Sequence, residues 1–373
     1  MVFILAVVFT SLYFLLFCSF ILGLFRLKRG RLENQVPSVS VVVAARNEER
    51  TIHRCLESLA NLDYPADKLE VILVDDHSTD QTHEIMLAFL AKLTQSRSSA
   101  HAIFKVLKVT KQIDHLKGKA NAIAFGIDHA RGELIFLTDA DCVVPRSWVS
   151  AIVKEYSDDI GLVASFTLLT TKNSFGGMQS LDWAFLHTLA AGGVGHKKPL
   201  SCFGNNLTFR RRAYDEVGGY RKIPFSVTED FALFTAITRR TKWKYTYLVS
   251  PESLVMSLPC GTFKELIEQK QRWAVGGLDM RLKGLSLMGF GFTVNALLAA
   301  AAFVGLPLMS VLSVWGLKVV ADAALLTIPL VRLRSSSFLK FFPAFEVYYF
   351  LYLLALPFIA FSGRKVSWKG REF

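Results

Sequence analysis

The apolar residues of this chain follow two rhythms. Val2 to Phe25 is one unbroken apolar run, long enough to cross a bilayer, which needs roughly 20 residues. No basic residue precedes it and no small-x-small cleavage site follows, so it reads as a retained membrane anchor rather than a signal peptide. From Val39 to about Tyr247, short apolar runs alternate with helical stretches. Val39–Ala45, Leu69–Val74, Ile103–Val109 and Glu133–Thr138 read as buried strands. Glu48–Leu59, Gln81–Leu93 and Lys119–His129 space their apolar residues as helices do. This alternation predicts an α/β fold, a mostly parallel sheet covered by helices, with ligands gathered at the carboxyl ends of the strands.

Beyond the sheet region the first rhythm returns. Phe263–Lys283 mixes charges with large apolar residues, which predicts an amphipathic helix lying on a membrane. Leu285–Val331 is almost wholly apolar and long enough for two spans, with a break expected near Trp315-Gly316. Phe341–Phe361 is apolar but carries Glu346 and two prolines. A third full span there would put the basic tail outside, so a re-entrant or interfacial piece is the alternative.

Composition sharpens this picture. The chain has 373 residues, of which 30 are Phe, and a formal net charge of +12. Basic residues bracket the apolar ends: Arg26, Lys28, Arg29 and Arg31 follow the first, and Arg364, Lys365, Lys369 and Arg371 follow the last. Such clusters mark cytoplasmic flanks beside anionic lipid, so the central domain is expected on the cytoplasmic side. No basic stripe interleaved with aromatics occurs in the middle region, so nucleic acid is not an expected partner. The five cysteines are scattered, without zinc spacing, and fit a reducing compartment.

Four clusters carry candidate chemistry. Asp75 and Asp76 end a strand, where a carboxylate can accept from a base N–H; capping of the next helix by Ser78 or Asp80 is the plain alternative. Asp139 and Asp141 lie two apart after Leu-Ile-Phe-Leu-Thr. In a strand both would face one side, and Mg²⁺ or Mn²⁺ takes one or two such carboxylates together with substrate phosphates. Charge growing on a diphosphate leaving group needs that neutralisation. Lys117-Gly118-Lys119 opens a helix whose lysines and free N–H groups could meet phosphate. Thr228-Glu229-Asp230 precedes a helical stretch: Thr228 suits an N-cap, and Asp230 suits a general base for a hydroxyl. Gln269, Arg272 and Trp273 share a helical face; Arg can clamp a diphosphate and indole can stack on a sugar. An interfacial Trp with a snorkelling Arg is the simpler account of the same residues.

Taken in order, Asp-Asp-x-Ser, Asp-x-Asp, Thr-Glu-Asp and Gln-x-x-Arg-Trp resemble the family 2 glycosyltransferases of the GT-A (Rossmann-like) fold. The resemblance covers roughly Val39 to Met280. It is nearest to the membrane-attached branch with cellulose, chitin and hyaluronan synthases and ceramide glucosyltransferases. It implies that Ala45, Arg46 and Glu48 hold the nucleotide base and ribose, with Asp75, Asp76, Lys119 and Asp139 also at the nucleotide. It implies that Asp141, with Asp139, binds the metal, that Gly204, Asn205 and Glu229 meet the acceptor end, that Asp230 is the catalytic base, and that Gln269, Arg272 and Trp273 close on the diphosphate and acceptor. The mechanism implied is direct displacement with inversion, without a covalent sugar intermediate. The expected donor is a nucleotide-sugar, commonly a UDP-sugar; the expected acceptor is lipid-like or membrane-embedded, at a bacterial inner membrane.

The sequence departs from that pattern at His77, where glycine is usual, and at Ala44 and Arg46, which replace a common Pro and Tyr. A polymer channel needs many helices around a pore, so addition of one or a few sugars is favoured over processive synthesis. A scaffold that kept the fold without activity is a rival opposed by the intact Asp139, Asp141, Asp230 and Arg272. A dinucleotide oxidoreductase would want Gly-x-Gly-x-x-Gly after the first strand, where Ala-Ala-Arg-Asn-Glu-Glu stands. The expected division is a transmembrane anchor at residues 1-31 and the sheet domain at 32-262. The interface helix follows at 263-284, and a transmembrane region with a basic tail at 285-373.

Overall fold

The computed structural model describes residues 1–28, 30, 36–95, 102–113, 115–278, 281–304, 307–361, 367–368 and 371–372. Arg29, Arg31, Arg364, Lys365 and Lys369, read above as membrane flanks, lie outside the described residues, as does Met280. In chain order come α1 (Val2–Phe25), β1 (Val39–Ala45), α2 (Ile52–Ala60), β2 (Leu69–Asp75), α3 (Thr82–Gln95), β3 (Ile103–Lys108), α4 (Gly118–Asp128) and β4 (Leu134–Asp139). Then follow α5 (Trp148–Val153), β5 (Ile160–Ser165), β6 (Thr167–Leu169), α6 (Ser174–Gly195) and β7 (Leu207–Arg210). The domain continues with α7 (Arg211–Glu216), α8 (Gly219–Lys222), α9 (Glu229–Arg240), β8 (Lys244–Leu248) and β9 (Val255–Ser257). Four long helices follow, α10 (Phe263–Leu278), α11 (Arg281–Phe303), α12 (Leu308–Arg332) and α13 (Phe342–Phe361), and a short antiparallel pair, β10 (Ser367–Trp368) and β11 (Arg371–Glu372), comes after them.

Seven strands form one sheet in the order β3-β2-β1-β4-β7-β5-β8. All pairings are parallel except those of β7, which runs antiparallel to β4 and β5. The expected mostly parallel α/β sheet is therefore present. β1 reads Val-Ser-Val-Val-Val-Ala-Ala, rich in branched side chains that suit a pleated surface. Its alternation feeds two cores: Val39, Val41, Val43 and Ala45 pack on one face, and Val42 on the other. Each such side chain, fully buried, contributes roughly 1.5–3 kcal/mol.

Among the described residues four helices are long and apolar enough to cross a membrane: Val2–Phe25, Ser286–Phe303, Leu308–Arg332 and Ser336–Ile359. The break in the second apolar stretch differs from expectation. Trp315 and Gly316 sit inside α12, and the helix restarts after Pro307, its N-cap. An isolated glycine costs a helix only about 1 kcal/mol and does not end it, whereas a proline suits the start of a helix, where its missing N–H is not needed. Phe341–Phe361 also departs from the re-entrant alternative, since α13 is one continuous helix that includes Pro357. Its Glu346 is matched inside the bundle: Lys318 of α12 lies 2.6 Å from Glu346 and 2.7 Å from Asp322. Tyr13 of α1 donates to Asp322 at 2.7 Å. Ionisable groups inside apolar helices pair with one another in this way.

Helix α6 joins the two halves. It packs on α1, α12 and α13 and also on β6 and β8, and a helix covered all round must be apolar nearly all round. Its contact with α1 is backbone to backbone. A Cβ placed on Gly23 would fall 2.2 Å from the Gly192 carbonyl oxygen, and one on Gly192 2.5 Å from that of Phe20. Small residues permit such approaches between membrane helices. Gly192→Ala is expected to force the helices apart and lower stability by about 1–3 kcal/mol, seen as a lower thermal midpoint of the detergent-solubilised protein.

Candidate active site

The carboxyl ends of β1 and β4 and the start of α4 open on a cavity of about 650 Å³, whose wall is completed by residues of α9 and α10. Arg46, Glu48, Lys119, Asp139, Asp141, Gly204, Asn205, Glu229, Asp230, Gln269, Arg272 and Trp273 line it, while Ala45, Asp75 and Asp76 do not. Strand alternation explains Ala45: Ala44 faces the cavity and Ala45 the opposite core.

The loops after β1 and β2 are tied together beside the cavity. Arg46 donates to the carbonyls of Asp76 and His77, each at 2.8 Å. The Asp76 N–H donates to the Ala45 carbonyl at 2.8 Å, and the Thr79 N–H to Asn47 Oδ1 at 2.9 Å. Asn47 (φ 52°) and His77 (φ 58°) both take left-handed backbone, a region where Asn and His are enriched among non-glycine residues. That is why glycine suits position 77 in the resembled family, and why histidine is still tolerated. Asp75 is fully buried and accepts from the Ser78 N–H at 3.1 Å. Asp80, two residues before α3, accepts from the Thr82 N–H at 3.0 Å and so satisfies one free N–H at the helix start.

Asp139 ends β4, but Asp141 stands in the turn beyond it, closed by the Cys142 N–H on the Asp139 carbonyl at 3.1 Å. A turn, not strand alternation, brings the two carboxylates to one cavity. Asp141 accepts from Ser257 Oγ at 2.9 Å. Burial, then repulsion from Asp139 and Glu48, pushes its carboxyl up to about 6.

Opposite charge arrives on α4. Lys119 Nζ lies 2.7 Å from Asp139 and 3.3 Å from Glu229. Burial works against its ammonium, yet Asp139 and Glu229 hold its pKa well above the usual value. Asp230 follows Glu229 at the start of α9. It accepts from the Gly204 N–H at 2.6 Å and the Phe231 N–H at 2.7 Å. Burial, then the neighbouring Glu229, pushes Asp230 up to about 7, against the pull of Lys119 and the two N–H groups. A Cβ on Gly204 would sit 3.0 Å from that of Asp230, a contact tighter than side chains ordinarily make. Thr228 is the N-cap residue of α9 but makes no side-chain capping bond; its hydroxyl pairs with Ser226 at 3.1 Å.

Helix α10 presents Gln269, Arg272 and Trp273 on one face, as their spacing requires. Burial lowers the Arg272 pKa. The Trp273 ring lies 5.5 Å from Trp183 and 6.3 Å from Phe203, so the indole is part of an aromatic wall.

The model of glycosyl transferase family 21 matches residues 3–373. The chain belongs to glycosyl transferase family 21. The family 21 match agrees with the resemblance to membrane-associated glycosyltransferases drawn from the motifs. Among its relatives, the beta-monoglucosyldiacylglycerol synthase of Nostoc sp. is 32% identical over 259 residues, 67% of this chain and 51% of that protein. The poly-beta-1,6-N-acetyl-D-glucosamine synthase of Staphylococcus epidermidis is 27% identical over 262 residues, 67% of this chain and 57% of that protein. This family 21 chain thus spans about half the length of the relatives it matches. In fold it is similar to the mannosyltransferase PcManGT from Pyrobaculum calidifontis, solved in complex with GDP-Man and Mn²⁺. The TM-score is 0.61 at 20% identity, covering 93% of this chain and 99% of that one.

Sequence reasoning missed several wall residues of this family 21 site. Trp183 and Phe203 join the aromatic wall from α6 and the segment before β7, and Ser257 at the end of β9 holds Asp141. These partners lie far apart along the chain, and no spacing marks them; only the charged Asp182 beside Trp183 in an apolar stretch was a signal. Lys119→Met is expected to leave Asp139, Glu229 and Asp230 repelling one another. Breaking such a partly buried pair costs up to about 3–5 kcal/mol. The loss should be greatest at pH 8 and shrink as pH falls through about 7 and Asp230 takes up its proton, as denaturant titrations on either side of that pH would show.

Proposed function

We propose that this protein moves a sugar from a nucleotide-sugar donor, a UDP-sugar in the first instance, to the hydroxyl of a lipid-like or membrane-embedded acceptor, with inversion. The observation that carries the reading is Asp230: a half-buried carboxyl at about 7, fixed by two N–H groups, in the same cavity as Asp139, Asp141 and Arg272. In this reading Asp230 removes the acceptor proton as the hydroxyl attacks the anomeric carbon. A carboxylate raised toward neutrality is a stronger base than an ordinary aspartate. Arg272 meets the departing diphosphate, Lys119 supports it from α4, and Trp273 stacks on the sugar or acceptor. Arg46 and Glu48 hold the nucleoside beside the loop of Asp75 and Asp76, with Ala45 supplying backbone. Gly204 and Asn205 shape the acceptor end with Glu229. One displacement suffices, so no residue is required to hold the sugar covalently.

The acidic set fits a hard divalent cation. Asp141 is crowded by Asp139 and Glu48, a repulsion that a cation relieves. Among the described residues no three His, Cys, Asp or Glu side chains form a metal cage, as suits an ion completed by phosphates and water. Asp141, with Asp139, would hold Mg²⁺ or Mn²⁺, which when bound neutralises charge on the diphosphate. The relatives support donor and acceptor classes: the Nostoc protein is named for a glucosylated diacylglycerol, and PcManGT was solved with GDP-Man and Mn²⁺.

The membrane setting follows the same reading. Arg26 follows α1, and Arg332 ends α12 and donates to the Leu24 carbonyl at 3.3 Å, so both helices finish at one level with their basic residues. That pattern supports a cytoplasmic sheet domain on a bacterial inner membrane, divided as residues 1-31, 32-262, 263-284 and 285-373. The Staphylococcus relative, named for a polymer, supports a second reading as a processive synthase; product length separates the two.

Asp230→Asn should lower kcat by about 10²–10⁴-fold, while donor affinity stays within a few-fold. In the unmodified protein kcat/KM should rise tenfold per pH unit up to about 7, where Asp230 loses its proton, and then level off. Transfer of labelled sugar from UDP-sugars to diacylglycerol-containing vesicles, followed across pH, checks both; equal rates in the Asp230→Asn protein and the parent would remove Asp230 as the base. Asp141→Asn should raise the Mn²⁺ concentration for half-maximal rate by about tenfold or more, read from metal titrations.

A further inference from the structure

Helix α10 carries one charged residue of its motif that does not line the cavity. Lys270 lies between Gln269 and Arg272 and is only 1% exposed. Its ammonium pairs with Asp182 of α6. It also sits 4.5 Å from the Trp273 ring centre and 4.8 Å from that of Tyr352 on α13. Tyr348 of α13 donates its hydroxyl to the same Asp182 oxygen at 3.1 Å. Three helices therefore meet at one buried charge pair directly behind the aromatic wall.

Stability alone is a poor account of this arrangement. Burying two charges costs several kcal/mol of solvation, and apolar residues of the same volume often serve stability as well. What a buried pair supplies is direction, because it is satisfied in one register of α10 against α6 and in no neighbouring one. The ammonium against the Trp273 ring adds a preferred orientation of the indole. We propose that Lys270, Asp182 and Tyr348 are positioning residues. The Lys270–Asp182 pair fixes the register of α10 so that Arg272 and Trp273 face the donor, and Tyr348 ties that register to the membrane helix α13. The same α13 is anchored to α12 by Glu346 and Lys318 at 2.6 Å. A shift of α13 within the bilayer would thus reach the cavity through one hydrogen bond and one ion pair. The inference rests on the proposed roles of Arg272 and Trp273.

Steady-state kinetics of the full chain in lipid nanodiscs test it, with donor and lipid acceptor varied separately. Lys270→Met should lower kcat by about 100-fold, the scale of a misplacement near 1 Å, with the donor KM changed by less than about threefold. Lys270→Arg keeps charge and cation–π contact and should restore kcat to within about tenfold of the parent. Tyr348→Phe leaves the ion pair and should lower kcat by about three- to tenfold with KM unchanged. A folded Lys270→Met protein with kcat within twofold of the parent overturns the proposal, as does Lys270→Arg behaving no better than Lys270→Met. Should Lys270→Met fail to fold, Tyr348→Phe carries the test, and an unchanged kcat in that variant overturns it. A parent protein that transfers no sugar instead removes the functional reading beneath it, an outcome distinct from a fully active Lys270→Met.

Discussion

Crowded negative charge is the constraint on which this molecule turns. Glu48, Asp139, Asp141, Glu229 and Asp230 line one cavity, with the Lys119 ammonium between Asp139 and Glu229. The polypeptide tolerates such crowding because each carboxylate has a specific restraint: Thr51 on Glu48, Ser257 on Asp141, Lys119 on Asp139 and Glu229, backbone N–H groups on Asp230. What the restraints do not relieve appears as displaced proton affinity, about 6 at Asp141 and about 7 at Asp230. Carboxyls in that range respond strongly to an arriving cation or proton. Sites of catalysis are where such perturbations cluster.

The cavity is also held from the apolar side. Helix α6 is shared between the sheet domain and the candidate membrane helices, and its Trp183 reaches the cavity while its Asp182 faces α10 and α13. Backbone contact between Gly23 and Gly192 locks α1 to the same helix. The domain is thus packed on α1, α12 and α13 through one element.

Much of this could be read along the chain. β1 was expected at Val39–Ala45 and lies there, because its Val-rich run leaves few alternatives. Asp139 and Asp141 were expected to face one side by strand alternation; both line one cavity, but a turn brings them there. The helix break was misplaced at Trp315-Gly316, because glycine interrupts an apolar pattern to the eye more than it interrupts a helix; the proline at 307 set the boundary. Glu346 looked hostile to a span because its partner, Lys318, lies 28 positions away and the pairing is visible only once α12 and α13 pack together.

Local pattern, then, determined what depends on near neighbours: strand and helix periods, the order of the acidic and basic motifs, and which stretches are too apolar for water. Those follow from the geometry of one or two turns of backbone and need no knowledge of the rest. Only the folded chain decided which charges share a low-dielectric space, which therefore shift, and which residues, such as Trp183, Ser257 and Asp182, back the motifs from a distance. The physical reason is that electrostatic and packing energies depend on separation in space, and sequence spacing reports that separation only within a single element.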